Sequence, residues 1–276
     1  MDFSALDGSL PAGVTVSTIS FTFSLASEVD LQKTLDYLPL SPDEVRTVTY
    51  EGFVRTVVNR PKKAARARRR LSSFYNCIVV EVACPRAADA GAFLHVKVFR
   101  NGSVQVAGCR EKEPTEAAVA TLCALLEETY YTRKEGGGVE EHRLLRGPCR
   151  PGNLKVNLIN TTFKLGVCVH RRRLHQVLME EGVPTAYDTC KHTGVQVLLP
   201  VEGKTKPVTL LVFERGSVVI TGAKCMAQVT AAHDFIRDFL TRRLATPLTY
   251  CGGEENNKRR RSRDSTDKRV AAQSTL

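Results

Sequence analysis

The chain contains itself twice, and that duplication limits its possible folds more than any other feature. VFRNGSVQVAG at 98–108 and VFERGSVVITG at 212–222 agree at six of eleven positions, at an offset of 114. ISFTFSLASEVDLQKTLDYL at 19–38 and INTTFKLGVCVHRRRLHQVL at 159–178 agree at six of twenty, at an offset of 140. The offsets differ by 26, so the first copy carries about 26 extra residues between the two blocks. A repeat of roughly 90–115 residues is far too long for a solenoid unit and reads as a duplicated half-domain.

Each copy runs through the same elements. A strand (14–23, 154–163) precedes a short helix (near 28–38 and 169–181). A β-rich run follows: YNCIVVEVAC, FLHVKVFR and SVQVAGC, against GVQVLLPV, VTLLVFE and SVVITGA. The turns RNGS and ERGS place Gly where a tight hairpin needs positive φ. A longer helix closes each copy, PTEAAVATLCALLEETYY and MAQVTAAHDFIRDFL, with apolar residues at helical spacing. The expected layout is a flexible N-terminus (1–13), a first repeat (14–132) with a basic insertion at about 41–72, a Gly- and Pro-rich linker (133–152), a second repeat (153–245) and a disordered basic tail (246–276).

The formal charge of +11 points to a polyanionic partner. Its distribution is uneven. Residues 60–70 (RPKKAARARRR) carry seven basic groups and no acid, including Lys62, Lys63, Arg66, Arg68, Arg69 and Arg70. Residues 252–276, with Lys258, Arg259, Arg260 and Arg261, add +3. These two segments supply +10 of the +11, so charge argues for two basic appendages that contact phosphates non-specifically or serve as a localisation signal. The nine cysteines form no C-x-x-C pair and suit reduced thiols. No secretory signal or membrane-spanning run is recognisable.

VTLLVFERGSVVITGAK (208–224) resembles the signature strand–turn–strand of the TATA-box-binding protein family, and KVNLIN (155–160) resembles its opening strand with a DNA-facing Asn. The resemblance covers roughly 15–245 apart from the insertion and linker, and its divergence is similar to that of TATA-binding-like proteins of large DNA viruses. It implies an α+β tandem-repeat saddle: one curved antiparallel sheet with helices on the convex face and the concave face in the DNA minor groove. Minor-groove architectural proteins, of which the TATA-binding protein is the standing example, wedge apolar side chains between base steps. Carried onto this chain, the resemblance makes Asn157 and Thr221 the groups that meet A·T acceptors. Leu211 and Val219 become apolar contacts, Lys224 ends the motif, and Phe213 is a wedge whose partner position holds His192. In the first copy the corresponding positions are Ser17, Lys97, Phe99, Gln105 and Ala107, with Phe74 as the second wedge. Lys97 and Gln105 put polar groups on a face that should be apolar.

An isolated strand Phe is more often core than wedge; matching turns and repeats reverse that for Phe213. Arg171, Arg172 and Arg173 read as a solvated helix face or a partner-binding patch. Cys168, His170, His175, Cys190 and His192 match no zinc spacing. No catalytic arrangement stands out, and no cofactor is expected. The expectation is a monomeric general transcription factor of the nucleus, or of a viral replication compartment. It would bind and bend A/T-rich promoter DNA and engage general transcription factors and the RNA polymerase machinery. The alternatives are a scaffold of the same fold with little specific DNA binding, and an enzyme carrying such a domain.

Overall fold

A computed structural model describes residues 7–57, 75–85, 89–190, 192–201 and 206–242, and the backbone of 249–250. The chain forms two compact units. The first is built on Thr15–Thr161 with Thr221–Val229, the second on Thr162–Ile220 with the chain from Thr230 onward.

The first unit contains β1 (Thr15–Ser24), α1 (Leu31–Tyr37), β2 (Val45–Tyr50), β3 (Phe53–Thr56), β4 (Cys77–Ala83), β5 (Phe93–Phe99), β6 (Ser103–Cys109), α2 (Lys112–Glu127), β7 (Thr129–Arg133) and β8 (Val139–Arg143). β9 (Lys155–Lys164) begins in this unit and ends in the next. The strand order here is β9-β1-β6-β5-β4-β2-β3, and the β1–β6, β6–β5, β5–β4, β4–β2 and β2–β3 ladders are antiparallel. Strand side chains alternate between faces. Val80, Val82, Val96, Val98, Val104 and Val106 therefore point one way and are fully buried, while Val79, Lys97 and Gln105 point the other. α1 packs against β2 and β4, and α2 against β4. Burying each such valine stabilises the fold by about 1.5–3 kcal/mol relative to exposure.

The second unit holds the end of β9, β10 (Cys168–Val169), α3 (Arg171–Glu180), β11 (Thr185–Ala186), β12 (Val195–Leu199), β13 (Val208–Val212), the first four residues of β14 (Ser217–Ala223) and α4 (Met226–Thr241) from Thr230 onward. Its sheet order is β11-β12-β13-β14-β9. The short strand β15 (Thr249–Tyr250) pairs with β10.

The duplication survives in hydrogen-bond detail. In the first unit Leu25 N–H donates to Gly102 O (2.8 Å) and Val29 N–H to Arg100 O (2.8 Å); in the second, Leu165 donates to Gly216 O (2.8 Å) and Val169 to Glu214 O (2.7 Å). Both hairpin glycines have positive φ, +81° at Gly102 and +68° at Gly216. A Cβ would lie 2.1 Å from Ser27 O in one turn and 2.0 Å from Val167 O in the other. Only glycine allows the turn and the loop after the first strand to approach this closely.

Three expectations are revised. Residues 41–57, assigned to the insertion, hold β2 and β3, and β2 pairs with β4 inside the sheet. The linker 133–152 is partly folded: β8 pairs with β7 across a turn in which Gly136, Gly137 and Gly138 all have positive φ. The His142 ring stacks on Tyr37 at 3.8 Å, and Asp30 N–H donates to Leu144 O at 2.9 Å. Finally, α2 stops at Glu127 rather than running through the tyrosines. The β-favouring run Thr129–Thr132 becomes a strand, and Tyr130 Oη donates to Leu125 O at the helix end (2.5 Å). The α+β class with antiparallel strands stands as expected.

Candidate nucleic-acid interface

In β13 the alternation buries Val208, Leu210 and Val212 and leaves Thr209 and Leu211 half-buried on the opposite face. In β14 it buries Val218 and Ile220 and leaves Val219 and Thr221 half-buried. Phe213, just past β13, is half-buried as well. Two strands thus present Leu211, Phe213, Val219 and Thr221 away from the core, as the sequence pattern requires. Such a face is apolar yet accessible.

His192 lies against this surface. Its ring centroid is 5.7 Å from that of Phe213, with 49° between the planes. Its Nδ1 accepts the Gly194 N–H at 3.1 Å, which fixes the ring's orientation. Gly194 sits beneath the pair: a Cβ there would come within 3.2 Å of Phe213 and 3.4 Å of the His192 ring. An imidazole thus lies beside Phe213 at the position where the resemblance expects a second aromatic wedge.

In the first unit the register aligns a row across five strands. Thr22 pairs with Gln105, Gln105 with Lys97, Lys97 with Val79, and Val79 with Thr49. Asn157 on β9 joins it, its Oδ1 accepting from Thr22 Oγ1 at 3.4 Å. The backbone carbonyl of Asn157 accepts from Lys224 Nζ. Ser17 is half-buried on β1, and its carbonyl accepts from Arg110 Nε at 3.0 Å. Phe99 ends β5, half-buried on the same side as Lys97. Phe74 and the basic groups at 62–70 and 258–261 lie outside the described residues.

The next row holds what the sequence reading passed over. Thr47 pairs with Glu81, Glu81 with His95, and His95 with Ala107. Glu81 is only 5% exposed, and Thr47 Oγ1 lies 3.0 Å from Thr56 Oγ1. The signal was present as a lone acid in CIVVEVA, at the parity opposite the core valines. The acid is buried and engaged within the fold, and the side chains bordering it here are polar where the second unit's face is apolar. Among the described residues no group of three or more His, Cys, Asp or Glu could hold a metal ion.

Comparison with known proteins adds three findings. Residues 153–242 match the family described as transcription factor TFIID, or TATA-binding protein. A TATA-box-binding protein-like protein of Acanthamoeba polyphaga mimivirus is 25% identical over 245 residues, covering 83% of this chain and 65% of that protein's length. The solved structure of Methanococcus jannaschii TBP superposes with a TM-score of 0.51 at 20% identity, covering 83% of this chain and 98% of that one, a likeness of fold.

Proposed function

We propose that this chain is a member of the TATA-binding protein family, as the match over residues 153–242 supports, and a non-enzymatic transcription factor that grips A/T-rich duplex DNA through the minor groove, chiefly with its second repeat. The observation that carries this reading is the accessible apolar face of Leu211, Phe213 and Val219, closed at one end by His192. The minor groove offers sugars and few donors, so apolar contact and shape dominate there. Thr221 and the Asn157 amide supply the donors that A·T acceptors require and that the guanine amino group opposes. Wedging Phe213 into a base step bends the duplex. The bound complex would recruit general transcription factors and polymerase, in the nucleus or a viral replication compartment. Gel shifts on TATA-containing and scrambled duplexes across a salt series test the reading. Preference for the TATA duplex that persists at high salt supports it; equal binding to both duplexes, vanishing with salt, contradicts it.

One observation favours a second reading. His95, Lys97 and Gln105 make the first repeat's open face polar. A chain that used this face for proteins alone would be a scaffold of the same fold. No bending of a TATA duplex by the intact protein would favour the scaffold.

A further inference from the structure

The two repeats diverge sharply at the start of the helix after the first strand. In the first, Asp30 caps α1, its carboxylate accepting the Lys33 N–H at 3.0 Å. The offset of 140 puts His170 at the same place before α3, where no side chain caps the helix and no acid occupies the first turn. A helix start leaves N–H groups without intrahelical partners and carries about half a positive charge. Where the first repeat has Leu31, Gln32 and Lys33, the second has Arg171, Arg172 and Arg173. Three cations at the positive end of a helix dipole oppose formation of α3, and contacts within the fold account for Arg171 alone.

A cavity of 780 Å³ opens at this point, and its lining includes Val169, Val177 and Tyr187 beside the three arginines. Arg171 is occupied: Nη2 meets Glu214 Oε2 at 2.6 Å, Nη1 donates to Thr193 O, and its guanidinium lies 5.7 Å over the Tyr187 ring. Glu214 is thereby neutralised. Glu180, the other acid in the lining, accepts from Gln176 at 2.9 Å at the far end of the helix. Arg172 and Arg173 are exposed and make no ion pair or hydrogen bond among the described residues.

We infer that this cavity docks an acidic segment of a partner protein. Side-chain carboxylates meet Arg172, Arg173 and the uncapped N–H groups of α3, taking the place that Asp30 fills internally in the first repeat. An apolar side chain of the segment rests on Val169, Val177 and Tyr187. DNA phosphates are the poorer fit, since they have no use for an apolar floor. The cavity is also on the helix side of the unit: α3 packs on β11 and β12, where Val195 and Val197 are buried, while Gln196 and Leu198 face the other way. The inference is independent of the DNA reading.

The test uses the full chain and a fluorescein-labelled peptide of repeated Asp-Glu-Leu, followed by anisotropy. Because the basic segments attract any acid, two charge-matched double variants are compared: R172E/R173E in the cavity and R69E/R70E in the insertion. The inference expects the first to weaken binding about tenfold or more and the second less than about threefold. H170D, which restores the first repeat's cap, should weaken peptide binding while raising the thermal midpoint. Circular dichroism verifies that each variant is folded. Three outcomes overturn the inference: no binding by the full chain, equal loss in the two double variants, or equal binding of an Asn-Gln-Leu peptide. Loss of TATA-duplex affinity in R172E/R173E as large as the peptide loss overturns it too, and makes the cavity a phosphate site.

Discussion

The His192 ring stands 5.7 Å from Phe213, held by the Gly194 N–H, so the second repeat ends its apolar face in an aromatic pair rather than a single phenylalanine. An imidazole is smaller and more polar than a phenyl ring, and inserting it beside a base step costs desolvation. H192F should therefore tighten binding to a TATA duplex by about 1 kcal/mol, near fivefold. H192A should weaken it by a similar amount. Titrations of the same duplex with the three proteins check the order; H192F binding no better than the parent would show that His192 stays out of the stack.

The aromatic pair also shows what the sequence made legible. Period-two alternation placed Leu211, Phe213, Val219 and Thr221 on one face, and the burial of Val208, Leu210, Val218 and Ile220 on the other agrees residue by residue. The hairpin glycines were legible because positive φ leaves few alternatives to Gly. Hairpins peculiar to one repeat were not. β7–β8 hides behind a Gly run that also suits a linker, and its place depends on the Tyr37–His142 stack, a tertiary contact. β2 was hidden in the insertion because its counterpart β11 is only two residues long. Glu81 was missed because an acid inside an apolar strand says nothing about which neighbours surround it.

Asn157 and Thr221 are the proposed readers of A·T edges. Changing either to Ala should cost about 1–3 kcal/mol on A·T-rich sites and less elsewhere. Competition assays with A·T-rich and G·C-rich duplexes measure the difference. Equal loss on both would mean that neither residue reads bases.

The basic segments 60–70 and 252–276 carry most of the net charge. Removing both should flatten the salt dependence of binding, by roughly 0.9 in logarithmic slope for each phosphate that the shortened protein leaves unneutralised. Preference for TATA over scrambled duplex should stay. A collapse of preference with an unchanged slope would reverse these roles.

Gly216 holds the turn before β14 against Val167 O. G216A combines left-handed strain with a backbone clash, so it should destabilise the fold by about 2 kcal/mol or more. G102A should do the same in the first unit. Thermal unfolding of the two variants checks both; a midpoint unchanged in either would mean that the turn relaxes.

Burial pushes the Cys123 thiol from 9.0 up to about 12, with Cys149 beside it adding to the rise. A raised folded value means that the stability tied to this proton is complete below pH 9 and is lost as pH climbs toward 12. C123A should therefore flatten the fall in stability across that window, as read by denaturant midpoints. Under native conditions at pH 8, iodoacetamide should modify the exposed Cys190 well before Cys123.

The most direct test of the account is the bend itself, read by energy transfer between dyes at the two ends of a TATA duplex. The parent protein should bring the ends together, Phe213→Ala should abolish most of that change, and Phe99→Ala should reduce it only in part. The reason is the surface around each ring: Leu211 and Val219 can lie dry against sugars, whereas Lys97 and Gln105 present polar groups that cost desolvation when water is removed. Equal losses in the two variants, or no bend with the parent protein, would contradict a grip centred on the second repeat.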